Sequence, residues 1–272
     1  MKKVAKVAMA GLVAATSICA LGGCAPDNTI YVNTNAFFAP FEYYDDDLNI
    51  VGVDVDIMNL VGEELGRPVK FENTAFDLII DNVASGAKFK CGAAGITITT
   101  ERQESVDFSN PYYTAVQYVI YDKDNANITT SMTANNDPCV FWEDLMDKRI
   151  GVQRNTTGDL FVSDEIDGGV LDGKAEDDLV RYDSASVALT FIGSRIDVVV
   201  VDELPAQFLC SRNTDYTCLP LYYDADTATE EQYAICVTKG QDDLLAAINK
   251  VLDDLGESGI QALVARHLGL DN

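Results

Sequence analysis

Apolar positions along the chain switch between two periods, and the switches predict its elements. Residues 30–33 form a short β-type run. Over residues 54–65 the apolar side chains Val55, Met58, Val61 and Leu65 recur at helical spacing, and Gly66 supplies a stop. Residues 69–72 predict a second strand and 77–84 a second helix. Residues 92–98, small and β-branched, predict a third strand leading into a helix start where Thr100 and Gln103 fit a capping box. The same alternation resumes after residue 148, with a strand over 149–153, a helix from about Thr157, a helix over 184–193 and a strand over 197–201. Helical patterns over 241–255 and on to Leu268 close the chain. The polar, helix-poor stretch 122–138 separates two similar halves, and no fixed-period repeat is visible. Runs without alternation, such as Val198 to Val201, mean strands covered on both faces. The expected fold class is therefore α/β, with mostly parallel sheets flanked by helices.

The first 23 residues stand apart from this pattern. Lys2, Lys3 and Lys6 precede an apolar stretch over 7–21, shorter than the roughly 20 residues a bilayer requires. It ends in Leu21-Gly22-Gly23-Cys24, which resembles a bacterial lipobox. That resemblance implies a signal peptide over 1–23, lipidation of Cys24 as the new N-terminus, a tether over 24–28, and an extracytoplasmic protein held to the membrane by lipid alone. No later run of 18 apolar residues predicts a membrane span.

Composition narrows the function classes. The 272 residues carry 19 Lys plus Arg against 44 Asp plus Glu, a formal charge of −25, so phosphate repels the chain and no nucleic-acid partner is expected. Removal of the leader takes three lysines and no acid, leaving 249 residues and a charge of −28. Such acidity reads as a solvated face, with a weak bias toward cationic ligands. Beyond Cys19 and Cys24, five cysteines remain: Cys91, Cys139, Cys210, Cys218 and Cys236. Five is odd, so at least one stays unpaired within the chain. Cys210 and Cys218 flank a short polar loop and are the candidate disulfide; the alternative is that all five are thiols. With no CxxC and with His267 as the single histidine, neither metal nor cofactor is expected.

Five segments in order, behind the lipobox-like leader, carry a family resemblance over nearly the whole mature chain. They are Ala39-Pro40-Phe41-Glu42, Val51-Gly52-Val53-Asp54-Val55-Asp56, Gly95-Ile96-Thr97-Ile98-Thr99-Thr100-Glu101-Arg102, Val106-Asp107-Phe108-Ser109-Asn110-Pro111-Tyr112-Tyr113 and Asp197-Val198-Val199-Val200-Val201-Asp202. Together they resemble the amino-acid-binding family of extracytoplasmic solute-binding proteins. The resemblance implies a periplasmic-binding-protein-like type II fold, in which two α/β lobes joined by two hinge crossings hold ligand in the cleft between them. It also implies a monomer that delivers an α-amino acid to the membrane permease of an ABC importer. The crossings are expected near 118–121 and 224–232, with lobe 1 over 29–120 plus 230–272 and lobe 2 over 121–229.

The chemistry of a zwitterion accounts for the residue types at the matched positions, because each buried charge must meet a partner. The resemblance implies that Arg102 grips the α-carboxylate, where a planar guanidinium can donate two parallel hydrogen bonds. A surface role would place this cation at a helix start whose macrodipole is already positive. Thr156, Thr157 and Gly158 resemble the helix N-terminus whose free N–H groups close on the same carboxylate. Asp202, the Gly95 carbonyl and the Thr97 hydroxyl are implied to hold the ammonium. Phe38 and Phe76 match positions flanking the ligand side chain, though isolated aromatics also read as core. Asn35, Gln153 and Val201 fall at selector positions.

Departures from the family pattern are Lys90 in place of a usual aspartate, Asn155 in place of a turn glycine, and the absence of a C-terminal Trp. All three selectors are neutral, and Arg154 should point to the face opposite Gln153. A neutral polar ligand such as glutamine or a cystine-like molecule is therefore expected over arginine or glutamate, with a receptor for a cationic amino acid as the alternative. No His or Cys nucleophile–base pair is matched to the cleft, so the chain is not expected to be an enzyme; a dehydratase-like activity on the same scaffold is the other alternative. A sensory module fused to a kinase is disfavoured by the lack of a later span.

One outcome tests the anchor directly. Cys24→Ser should leave the protein either unprocessed or released; recovery of the variant in the membrane fraction after a salt wash contradicts the lipobox reading.

Overall fold

The computed structural model describes residues 27–270 except 125–127. The expected signal peptide, the lipidation site Cys24 and the start of the tether lie outside the described residues.

Two main sheets build the molecule. The first has five strands in the order Val69–Asn73, Ile30–Thr34, Cys91–Gly92, Cys236–Thr238, Val106–Phe108. Its first three strands are parallel, whereas Cys236–Thr238 runs antiparallel to both neighbours. Helix Val53–Leu65 buries Val53, Ile57, Met58 and Val61 in one core with Ile30 and Val32 of the sheet and with Leu244, Ile248 and Val251 of the C-terminal helix. Helix Ile79–Ser85 buries Ile79 and Val83 in a second cluster with Ile96, Val106 and Cys236.

The second sheet runs Leu179–Tyr182, Ile150–Gln153, Val198–Asp202, Tyr113–Asp122, Tyr216–Asp224, Pro138–Phe141, Ser131–Met132. Val198 to Val201 are all buried, as the unbroken apolar run requires of a strand covered on both faces. Trp142, Leu145 and Val162 fill one side of this sheet.

A long strand links the two. The first half of Tyr113–Asp122 pairs antiparallel with the returning strand Glu230–Tyr233, and its second half with Val198–Asp202. The chain thus leaves the first sheet and re-enters it through two neighbouring strands, which carry Gln117 and Glu231 side by side.

Several elements differ from the periodic reading. Of residues 92–98 only Gly92 belongs to a strand, Cys91–Gly92, with a single isolated bridge from Thr97 to Tyr233, because Gly95 turns at φ 52° and the remaining backbone donors go elsewhere. The Ala93 N–H donates to the Asn33 carbonyl (3.0 Å), the Gly95 N–H to Asp54 Oδ2 (2.9 Å) and the Ile98 N–H to the Gln232 carbonyl (2.9 Å). The helix expected over 184–193 is confined to Ala185–Leu189, capped by the Ser184 hydroxyl. The helix cap expected at Thr100 belongs to Thr99, whose hydroxyl accepts from the Arg102 N–H (3.1 Å). The two C-terminal helical patterns form one run, Asp242–His267, broken at Gly256 (φ 58°, ψ −178°).

Gly52 sets the entry of helix Val53–Leu65 and thereby the position of Asp54. Its φ is 141°, and a Cβ there would lie 2.0 Å from the Phe41 carbonyl oxygen. Gly52→Ala should therefore cost at least about 2 kcal/mol, seen as a lower urea midpoint at unchanged m-value.

Candidate functional site

Between the two sheets lies a tight, largely enclosed cavity with free space of about 10 Å³. One wall comes from the segments that leave the first sheet: Asn35, Phe38, Phe76, Gly95 and Thr97. Facing them are Gln153, Thr156, Thr157 and Asp202, at the ends of strands Ile150–Gln153 and Val198–Asp202 and the start of helix Thr157–Ile166. Nine of the ten residues expected to contact ligand thus converge, although the two groups are separated by more than fifty residues of chain. A wider groove alongside, between Phe37, Tyr44 and Asp45 on one side and Pro205, Phe208 and Arg212 on the other, is open and exposed rather than enclosed.

Arg102, the tenth, stands behind the wall rather than in it. Its guanidinium is buried, donates from Nη1 to the Thr97 carbonyl (2.8 Å) and from Nη2 to the Asn155 carbonyl of the facing lobe (2.9 Å), and lies 5.5 Å from the Phe76 ring centroid. Burial pushes its pKa down, opposed chiefly by Glu231. The Thr156 hydroxyl caps helix Thr157–Ile166 by accepting from the Asp159 N–H. Asn155, where a glycine is usual, has φ 63°, a left-handed conformation that Asn tolerates, and its N–H donates to Asp159 Oδ2 (2.9 Å).

An acidic cluster adjoins the same cavity. Asp202 is buried; its Oδ1 accepts from Gln117 Nε2 (2.7 Å) and its Oδ2 from the Tyr233 hydroxyl. Burial first, and the neighbouring Glu231 second, raise its pKa well above the usual carboxylate range. Glu231, also buried, accepts from Gln117 through Oε1 and from the Thr97 and Thr157 hydroxyls through Oε2. Sequence reasoning missed both Gln117 and Glu231. The available signal was period-two alternation, which places Gln117 in line with inward Ala115 and Val119, and Glu231 in line with inward Tyr233.

Asn35 and Gln153 meet across the cavity. Gln153 Nε2 donates to Asn35 Oδ1 (3.0 Å), and Asn35 Nδ2 to the Thr74 carbonyl (2.7 Å). Gln153 Oε1 is buried without a partner. Arg154 faces away from Gln153, 4.0 Å from Asp77 and 3.6 Å from Asp183. Val201 does not reach the cavity: it is buried in the core beside Leu204 and Ala206, so it selects nothing by contact. Lys90 donates to the Gly86 carbonyl at the end of helix Ile79–Ser85, an ordinary place for a cation. Cys210 and Cys218, the candidate bridge, are both free thiols, yet helix Glu203–Arg212 lays one against the other. Their mutual hydrogen bond lowers the Cys210 pKa and raises that of Cys218.

Behind Gly95, Asp54 accepts from the Gly95 N–H (2.9 Å) and the Tyr112 hydroxyl (2.5 Å), which explains why the Val51 to Asp56 segment belongs with the site. Glu42 lies nearby, fully buried, with both carboxyl oxygens unpartnered; burial and the charge of Asp54 raise its pKa well above the usual range.

Two α/β lobes linked by paired crossing strands, with convergent polar groups in an enclosed interlobe cavity, define a cleft-type solute-binding protein. The chain belongs to the bacterial extracellular solute-binding proteins, family 3, whose model matches residues 30–269. It is 31% identical to the L-arginine-binding protein of Pseudomonas aeruginosa over 260 residues, covering 93% of this chain and 92% of that protein. An ancestral arginine-binding protein solved with glutamine bound shares 30% identity at a TM-score of 0.72, over 89% of this chain and 98% of that one. The same ancestral type solved with arginine bound shares 31% at 0.71, over 88% and 97%.

The buried acids fix a pH response. Burial raises Asp54 from 3.8 to about 6, against the opposing hydrogen bonds of Tyr112 and Gly95. The native state therefore holds this proton more tightly than the unfolded state, and the associated stability is lost as pH rises from about 4 through 6. Asp54→Asn keeps an acceptor for the Gly95 N–H without the charge. It should exceed the parent in stability by up to ~3 kcal/mol at pH 7, with the difference vanishing near pH 4, in urea titrations across that range.

Proposed function

We propose that this chain is the amino-acid-capturing lipoprotein of an ABC importer, anchored outside the cell membrane by lipidated Cys24 and acting as a monomer on a membrane permease. Lobe 1 spans 29–120 plus 230–272, lobe 2 spans 121–229, and the ligand is an α-amino acid with a neutral polar side chain. Arg102 and the N–H groups at Thr156 and Thr157 take its carboxylate. Asp202, the Gly95 carbonyl and Thr97 take its ammonium, while Phe38 and Phe76 flank the side chain and Asn35 and Gln153 meet its polar end.

The observation that carries this reading is the convergence of a helix N-terminus and a buried aspartate on one interlobe cavity, with a buried arginine bonded to the Thr97 carbonyl directly behind its wall. These are the complements of the two charges of a zwitterion. The neutral side-chain preference draws on the Asn35–Gln153 pair, whose free Gln153 Oε1 can accept from an amide or hydroxyl. A cationic side chain is the second reading, favoured by relatives named for arginine and by the ancestral protein solved with either arginine or glutamine.

Arg102→Ala removes charge-assisted bonds worth roughly 1.5 to 3 kcal/mol each and should weaken amino-acid binding at least about a hundredfold by calorimetry. Near-normal affinity contradicts the carboxylate assignment. In a competition series over the twenty amino acids at fixed salt, a neutral polar one should bind best. Arginine or lysine binding about tenfold tighter than every neutral amino acid establishes the cationic reading instead.

A further inference from the structure

Glu231 lies against the proposed ammonium site without a role in the reading above. Its Oε2 accepts from the hydroxyl of Thr97 in one lobe (2.5 Å) and from that of Thr157 in the other, and these two hydroxyl oxygens are 3.3 Å apart. Both threonines line the cavity. A hydroxyl has one hydrogen, so once it is given to Glu231 the oxygen can only accept from the cavity side. We propose that Glu231 is a positioning residue for the ligand ammonium: it draws the hydrogens of Thr97 and Thr157 out of the cavity, leaving a wall of acceptors that selects an –NH₃⁺ group over a neutral substituent. The inference rests on the amino-acid reading of the same cavity.

Gln117 locks the arrangement. Its Nε2 donates to both Asp202 Oδ1 and Glu231 Oε1, so the second carboxyl oxygen of Glu231 is the one left for the threonines. Gln117 itself sits on the outgoing crossing strand, paired with Asp202, and Glu231 sits on the returning strand, paired with Ala115 two residues before Gln117. With Asp202 and Gly95 also lining the cavity, the wall offers acceptors to a ligand group that brings three N–H donors. A 2-hydroxy acid brings one hydrogen and adds lone pairs against oxygens that have none to give.

The test compares the twenty L-amino acids with their L-2-hydroxy-acid counterparts on the parent and on Glu231→Gln, each titrated by calorimetry. In the variant Gln117 still needs an acceptor, so the new amide turns its NH₂ toward Thr97 and Thr157 and reverses both hydroxyls. The preference for amino over hydroxy acid should fall by about tenfold or more, with far-ultraviolet circular dichroism unchanged. Thr157→Val, which deletes one oriented acceptor and keeps the carboxylate, should lower the same preference and serves if Glu231→Gln does not fold. Equal weakening of both ligand classes, or no change in either, overturns the role of Glu231 and leaves the solute-binding reading standing. Failure of every amino acid to bind the parent overturns that reading, and this inference with it.

Discussion

A carboxylate taken out of water must be met by donors, and at the centre of this molecule one amide meets two carboxylates at once. Gln117 donates to Asp202 and to Glu231, which belong to a strand end of the second sheet and to the returning crossing strand. Because Gln117 lies on the outgoing crossing strand, the hydrogen bonds that keep these acids in place also hold the two crossings and both lobes in register. Tyr233 closes the other side of Asp202 and packs on Phe41 at 5.0 Å, so the acid pair is continuous with the aromatic core of the first lobe. Burying two like charges opposes folding by desolvation and repulsion, and the high pKa of Asp202 records both.

The cationic side of the cavity follows the same rule with the signs exchanged. Arg102 donates to one carbonyl from each lobe, so its orientation depends on the lobes being together. The start of helix Thr157–Ile166, capped by Thr156, lies at the cavity wall in front of it. Around the cavity the charged groups of both signs are thus tied to Thr97, while Asn35 and Gln153 meet across it as neutral dipoles. Such preorganisation lowers the entropy and desolvation that binding would otherwise cost.

Much of this was legible in the chain. The 3.6-residue spacing of Val55, Met58, Val61 and Leu65 foretold helix Val53–Leu65, and the valine run foretold a buried strand ending at Asp202. The burial of Arg102 was legible because a cation at a helix start is locally misplaced and needs another reason to be there. Residues 92–98 misled, since small and β-branched residues suit a strand, whereas Gly95 turns the backbone so that its N–H reaches Asp54. Val201 misled for a different reason: strand position alone does not say how far from the cavity a side chain ends.

What the sequence determined by itself is whatever depends on near neighbours: periodicity, helix stops, caps, and the order of motifs that marks the family. Asn155 is legible in this sense too, as a residue able to take a left-handed turn. The tertiary structure alone decided which polar groups share a buried space. Glu230 and Glu231 are adjacent and chemically identical, yet the pleat sends one to solvent and buries the other against Thr97 and Thr157, because alternate residues of a strand face opposite sides. Gln117 acquires its role only when a strand more than a hundred residues later pairs beside it. A hydrogen bond is specified by position in space, and for Glu231 its four polar neighbours, Thr97, Gln117, Thr157 and Asp202, come together only when both lobes and both crossings are in place.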